Sequence, residues 1–211
     1  MTSLYLVRHG ETDWNAQRRI QGNTDIPLND TGRGQAHTTG RLLARREWDG
    51  VYASPLSRAF ETASIIAGEL GMSAPVALPA VVERNYGASE GLNWDEIEAR
   101  FPGDTPVPGR ETHEEVAQRV IPALIGLAQQ HQSEALIVVS HGGVIRSVLN
   151  AVDPGTRHGS ITNGSVHSFE LASGSLELIS FDDPIDVLSL DCATDDLDEQ
   201  NAMERRDSVR G

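Results

Sequence analysis

The sequence predicts an α/β protein, a three-layer α/β/α sandwich around a mainly parallel sheet. Short apolar runs alternate with helix-period segments, the order that crossover connections to a parallel sheet require. Leu4-Tyr5-Leu6-Val7 and the β-branched Ala135-Leu136-Ile137-Val138-Val139 read as strands, as does the shorter Gly50 to Ala53. Two late alternating segments, Ser165 to Leu171 and Ser175 to Phe181, meet at Ser173-Gly174 and read as a hairpin closing one edge of the sheet.

The helices carry their own signals. Thr31 to Arg46 places Ala36, Leu42 and Leu43 on one face. Ser54-Pro55 reads as an N-cap with proline at the first helical position, opening a helix to about Leu70. Thr112-His113-Glu114-Glu115 is a capping box ahead of Val116, Val120 and Leu124, and Asn93-Trp94-Asp95-Glu96 is another. Gly142-Gly143 starts a helix to about Val152. Residues 1–181 are then one domain. From Asp182 to Gly211 ten acids stand against three arginines with few large apolar groups, so 182–211 is expected to be an acidic, disordered tail.

Composition narrows the function. With 211 residues, 38% hydrophobic, 23% charged and 5% aromatic, the chain has the make-up of a globular domain rather than a fibrous or disulfide scaffold. A formal net charge of −14 disfavours nucleic acid and anionic membrane surfaces as partners. No apolar run reaches the length of a membrane span, the opening Met1-Thr2-Ser3 carries no basic leader, and one cysteine, Cys192, makes no internal disulfide. A cytoplasmic location is expected. All 17 basic residues are arginine, which base composition of the genome suffices to explain, so any anion must be held by guanidinium.

Ligands of open parallel sheets sit at the carboxyl ends of the strands. His9 follows the first strand and His141 the strand ending at Ser140, while Arg8 precedes His9 and Arg58 stands early in the helix after Ser54. Two His and two Arg on one rim, with no companion cluster of Cys or carboxylates at metal spacing, suit a phosphoryl group. Its charge spreads over equatorial oxygens that forked guanidiniums can hold without a metal. A neutral imidazole can attack phosphorus, and a hydrogen bond from its other nitrogen to a carbonyl would set the tautomer. His141, opening a glycine-rich helix, would add a donor, and the helix end partial positive charge. Any one of these residues alone is more often a surface or capping group; their joint occurrence carries the reading.

Several longer motifs run in one order from residue 4 to residue 143. They are Leu6-Val7-Arg8-His9-Gly10-Glu11-Thr12, Gln21-Gly22-Asn23-Thr24-Asp25 with Thr31-Gly32-Arg33-Gly34, Ala53-Ser54-Pro55-Leu56-Ser57-Arg58, Glu83-Arg84-Asn85-Tyr86-Gly87 with Glu90-Gly91, and Val139-Ser140-His141-Gly142-Gly143. On these the chain resembles the histidine phosphatase superfamily, and the fold implied is phosphoglycerate mutase-like. Asn163-Gly164-Ser165-Val166 fits as well. The resemblance implies His9 as the phosphorylated nucleophile, Arg8, Arg58 and His141 around the phosphoryl group with Asn15, and Glu83 as proton donor. It implies a substrate-facing loop at Gln21 and Gly22, with Gly142 beside the bound group, and no metal.

The family divides between phosphatases and mutases. Glu83-Arg84-Asn85-Tyr86-Gly87 and Gly91-Leu92-Asn93 resemble the mutases, which carry a long basic insertion next. Here Trp94 to Pro108 leads directly to Gly109-Arg110-Glu111-Thr112, which resembles the phosphatase branch. The expected function is therefore hydrolysis of a small-molecule phosphate ester with no cofactor. The alternative is a phosphoglycerate mutase, for which 2,3-bisphosphoglycerate would be needed. A binding module without catalysis is disfavoured because Arg8, His9, Arg58, Glu83 and His141 are all present.

Overall fold

The computed structural model describes residues 1–183. Among these, six strands form one sheet in the order β3-β2-β4-β1-β5-β6, with β1 Ser3–Arg8, β2 Gly50–Ala53, β3 Val76–Ala77, β4 Ala135–Ser140, β5 Val166–Ala172 and β6 Ser175–Ser180. The first four in that order run parallel, and the β5–β6 hairpin joins β1 antiparallel. β1 and β4 lie in the middle of the sheet, covered on both faces, which is why they read as continuous apolar runs rather than alternating ones.

Helices cover both faces. α2 (Asp30–Leu43) and α3 (Ser57–Glu69) pack on one side, burying Leu43, Ala63 and Ile66 against Val7, Val51 and Val139. α5 (His113–Gln130) and α6 (Gly142–Val152) pack on the other, where Val116, Val120, Leu124 and Val148 meet Leu4, Leu6 and Val138. A short α1 (Asp13–Ala16) and α4 (Trp94–Arg100) complete the set. A separate small cluster of Ile20, Tyr86, Ile97 and Phe101 fastens α4 and its neighbours over the strand ends. Both expected capping boxes form, Thr112 with Glu115 and Asn93 with Glu96.

Two helices differ in their boundaries from the sequence reading. α2 starts at Asp30 on an Asn29 cap and stops at Leu43, where the Trp48 indole donates to the Leu43 carbonyl at 2.7 Å and the chain turns toward β2. Ser54 is not the N-cap of α3. The helix begins at Ser57 after Leu56, which offers no side-chain cap, and the Ser57 N–H is instead taken by Asp25 Oδ1 at 2.8 Å from a loop 32 residues away. The Ser54 hydroxyl is engaged elsewhere, with His141. No local pattern reports such distant partners.

The first two residues of the expected tail are tied to the sheet. Asp183 N–H donates to the Val166 carbonyl at 2.7 Å and Asp182 N–H to His167 Nδ1 at 3.0 Å, while Phe181 stacks on His167 with ring centroids 4.8 Å apart. The remainder of that tail, 184–211, lies outside the described residues. No helix among the described residues is long and apolar enough to cross a membrane.

Because Nδ1 of His167 accepts a hydrogen bond, its ring is neutral, and burial, helped by Arg146 and His158, holds its pKa down at about 3. A depressed folded pKa contributes stability that is complete above the unfolded value near 6.5 and is lost as pH falls from there toward about 3. Urea unfolding of His167→Asn should accordingly show a slope of stability against pH, between pH 6 and 4, shallower than wild type by about 1.4 kcal/mol per pH unit. Parallel slopes would show that His167 is not buried neutral.

Candidate active site

Parallel register builds the rim. Arg8 lies opposite Ser140 and Ala53 opposite Val139, so the next residues, His9, His141 and Ser54, leave the sheet side by side. Backbone bonds hold them there: His9 N–H to the Ser140 carbonyl and Ser54 N–H to the Val139 carbonyl, both 3.0 Å. The His9 and His141 rings meet edge to face with centroids 5.1 Å apart, and both are buried.

His9 Nδ1 lies 2.6 Å from the Gly10 carbonyl, which can only accept, so the proton sits on Nδ1 and Nε2 keeps its lone pair. Gly10 is required to be glycine: a Cβ would fall 2.3 Å from the Gly32 carbonyl oxygen at the start of α2. The Gly10 N–H is tied to Thr62 Oγ1 at 3.1 Å, whose hydroxyl donates to the Arg58 carbonyl. Burial is the main cause holding His9 well below its ordinary pKa, with the Arg58 and Arg8 charges second. His141 is held down in the same way.

The two guanidiniums are as buried as the imidazoles. Arg8 Nη1 donates to the Ile161 carbonyl at 2.6 Å. Arg58 Nη1 and Nη2 donate to the carbonyls of Thr24 and Gly22 at 2.9 and 2.7 Å. Burial lowers the Arg58 pKa to about 10, which leaves it charged at neutral pH. Among the described residues Arg58 Nε, His141 Nδ1 and both polar atoms of Gln21 are buried without a protein partner. Such groups are costly to leave unpaired, and the N–H donors among them suit an anion with several oxygens. Among the described residues no group of three or more His, Cys, Asp or Glu is placed to hold a metal ion.

Glu83 reaches the rim from the loop after β3 and is fully buried. Its carboxylate accepts from Arg84 N–H at 2.7 Å, Gly143 N–H at 3.3 Å and Val144 N–H at 3.2 Å. The first turn of α6 thus gives its Gly143 and Val144 N–H groups to Glu83. Burial pushes the Glu83 carboxyl above its ordinary range, outweighing these N–H bonds and the Arg58 and Arg8 charges. Arg119 of α5 fixes the segment from behind, donating to the carbonyls of Ala80, Val82 and Glu83 at 2.7 to 3.1 Å and to the Glu111 carboxylate. Arg119 escaped the sequence reading; its one local signal is a charge between Val116 and Val120 on a buried helix.

The structure therefore brings Arg8, His9, Arg58, Glu83 and His141 together. Gln21 and Gly22 flank them, Gly22 by giving its carbonyl to Arg58. Gly142 is buried at the first position of α6. Asn15 is engaged locally: its Oδ1 accepts from the Thr12 N–H and hydroxyl in the cap of α1. Asn163 Nδ2 donates to the His9 carbonyl at 2.9 Å. Glu90 ties two loops together, its oxygens accepting from Asn23 N–H, Thr24 N–H, the Thr24 hydroxyl and Tyr86 N–H at 2.7 to 3.1 Å.

Comparison with known proteins gives the class, a phosphoric monoester hydrolase on a phosphoglycerate mutase-like fold. The chain belongs to the histidine phosphatase superfamily, branch 1, whose sequence model matches residues 4–184. It is 39% identical to the uncharacterized phosphatase PhoE of Bacillus subtilis over 175 residues, 82% of this chain and 90% of that one. A metal-independent phosphoserine phosphatase of Arabidopsis thaliana is 36% identical over 81% of this chain and 77% of its own length. A 2,3-bisphosphoglycerate-dependent phosphoglycerate mutase of Cytophaga hutchinsonii is 29% identical over 90% of this chain and 92% of its own. Among solved structures, Bacillus stearothermophilus YhfR superposes with a TM-score of 0.78 at 31% identity, over 87% of this chain and 98% of that one.

A Cβ on Gly143 would lie 2.7 Å from Glu83 Oε1 and 2.8 Å from Tyr86 Oη, so Gly143→Ala must displace the carboxyl. Hydrolysis of an alkyl phosphate, followed as kcat/KM, is expected to fall by at least about tenfold, or about 1.4 kcal/mol of barrier, with the circular dichroism spectrum retained. Unchanged turnover would separate Glu83 from the reaction.

Proposed function

We propose that the protein is a metal-independent phosphatase of small phosphate monoesters that works through a phosphohistidine at His9. The observation that carries this reading is the His9 ring itself, buried and neutral, its proton fixed on Nδ1 by Gly10, between two buried arginines. Nε2 attacks phosphorus, the bond to the leaving oxygen breaks, and Glu83 gives that oxygen its proton. Water then attacks the phosphohistidine, Glu83 takes a proton from it, and the P–N bond breaks to release phosphate. Arg8, Arg58 and His141 hold the equatorial oxygens throughout, supplying the positive charge that a metal supplies in other phosphatases.

Hydrolysis is favoured over transfer to a second hydroxyl by the segment between α4 and α5. Residues 101–112 connect the two helices and hold one basic residue, Arg110. Little charge is available there to retain a bisphosphate between half-reactions, and the net charge of −14 adds none. We place the enzyme in the cytosol, as a catalyst for a small anionic ester rather than for nucleic acid or a membrane.

With ³²P-labelled substrate, rapid quench should trap an acid-labile, base-stable phosphoenzyme that forms equally after prolonged chelation and is absent from His9→Ala. Label surviving in that variant, or lost with the chelator, would overturn the mechanism.

Glu83→Gln separates proton donation from phosphate holding. Single-turnover attack on an alkyl phosphate should slow by about 10²-fold or more, and attack on p-nitrophenyl phosphate much less, because nitrophenolate leaves without a proton. Arg58→Ala should damage both substrates alike. Equal losses in Glu83→Gln would make this carboxylate structural.

A further inference from the structure

Ser54 stands in a position that the reaction scheme above does not use. Its hydroxyl is fully buried and has two partners, the Leu56 N–H at 3.3 Å and His141 Nε2 at 2.8 Å. An amide N–H can only donate, so Oγ accepts from Leu56. The hydroxyl proton must then go to an acceptor, since a buried O–H that keeps its proton unshared is destabilising. Among the described residues His141 Nε2 is the acceptor in reach.

The consequence falls on the far side of the ring. A neutral imidazole that accepts at Nε2 carries its proton on Nδ1. Burial and the charges of Arg58 and Arg8 keep His141 neutral. Its Nδ1 is buried with no partner among the described residues, on a ring 5.1 Å from that of His9. In the opposite tautomer Ser54 would hold an unshared proton, and His141 would turn a lone pair toward an anion, which is repulsive.

We propose that Ser54 is a positioning residue, whose hydroxyl donates to His141 Nε2 and so fixes the Nδ1–H tautomer that offers a hydrogen bond to an oxygen of the phosphoryl group on His9. This rests on the reading of His141 as a phosphate-holding residue. The two histidines of the rim then share one tautomer and divide the work: His9 presents a lone pair from Nε2, and His141 a proton from Nδ1. Two different devices set them, a backbone carbonyl for His9 and a side-chain hydroxyl for His141.

The test is long-range ¹H–¹⁵N correlation on the full chain labelled at histidine, which reports which ring nitrogen carries the proton. Wild type at neutral pH should show His141 protonated on Nδ1, and inorganic phosphate should shift that resonance. Ser54→Thr should keep the tautomer and turnover within a few fold. Ser54→Ala should populate the Nε2–H tautomer and lose about 10- to 10²-fold in kcat. His141 protonated on Nε2 in the wild type, or an Ala variant with both tautomer and turnover unchanged, overturns the proposal without recourse to any variant's stability. A correct, Ser54-dependent tautomer that ignores phosphate would overturn the reading of His141 while leaving the role of Ser54 in setting the ring intact.

Discussion

Parallel pairing of β1 with β4 and of β4 with β2 is the constraint on which everything at the rim depends. With Arg8 opposite Ser140 and Ala53 opposite Val139, three strands end in one row, and His9, His141 and Ser54 emerge as neighbours although 87 residues separate Ser54 from His141. A slip of one residue in either pairing would turn these side chains to the opposite face. Continuous apolar runs do not by themselves forbid such a slip, and the bonds just past the strand ends, His9 N–H to the Ser140 carbonyl and Ser54 N–H to the Val139 carbonyl, hold the register that sets the geometry of the site.

Burial is the second determinant, and it acts in opposite senses on the two kinds of group. It pushes the pKa of His9 and His141 well down and that of the Glu83 carboxyl up, while Arg58, whose pKa starts high, loses some basicity but not its charge. A neutral imidazole, a carboxyl of raised pKa and two buried guanidiniums thus coexist within one desolvated space. In water the same residues would hold at neutral pH a part-protonated imidazole and an ionised carboxylate.

Much of this was legible in the sequence because it is local. The strands at 4–7, 50–53 and 135–139, the two capping boxes and the hairpin follow from periodicity and end signals within a few residues, and the rule about strand ends then places His9 and His141. What escaped depends on contacts across the chain. Ser54-Pro55 has the local chemistry of a helix start, yet the hydroxyl is committed to His141 and the cap comes from Asp25. The Gly143 and Val144 N–H groups at the opening of α6 go to Glu83, 60 and 61 residues earlier, a pairing that no local pattern reports. The carbonyl partner of His9 was equally hidden, although it belongs to the very next residue, since choosing it requires the backbone direction at Gly10.

The Glu90 carboxylate has an implication for how this pocket can change. It joins the loop at 23–24 to the backbone at Tyr86, and carbonyls of that same loop, from Gly22 and Thr24, orient the Arg58 guanidinium. Any exchange of residues there therefore pulls on the Arg58 guanidinium. Among the described residues, α4 and the 101–112 connection bear no bond to Arg58, so exchanges there leave that cation in place. One part of the chain near the rim is thus free to drift and the other is clamped to the guanidinium.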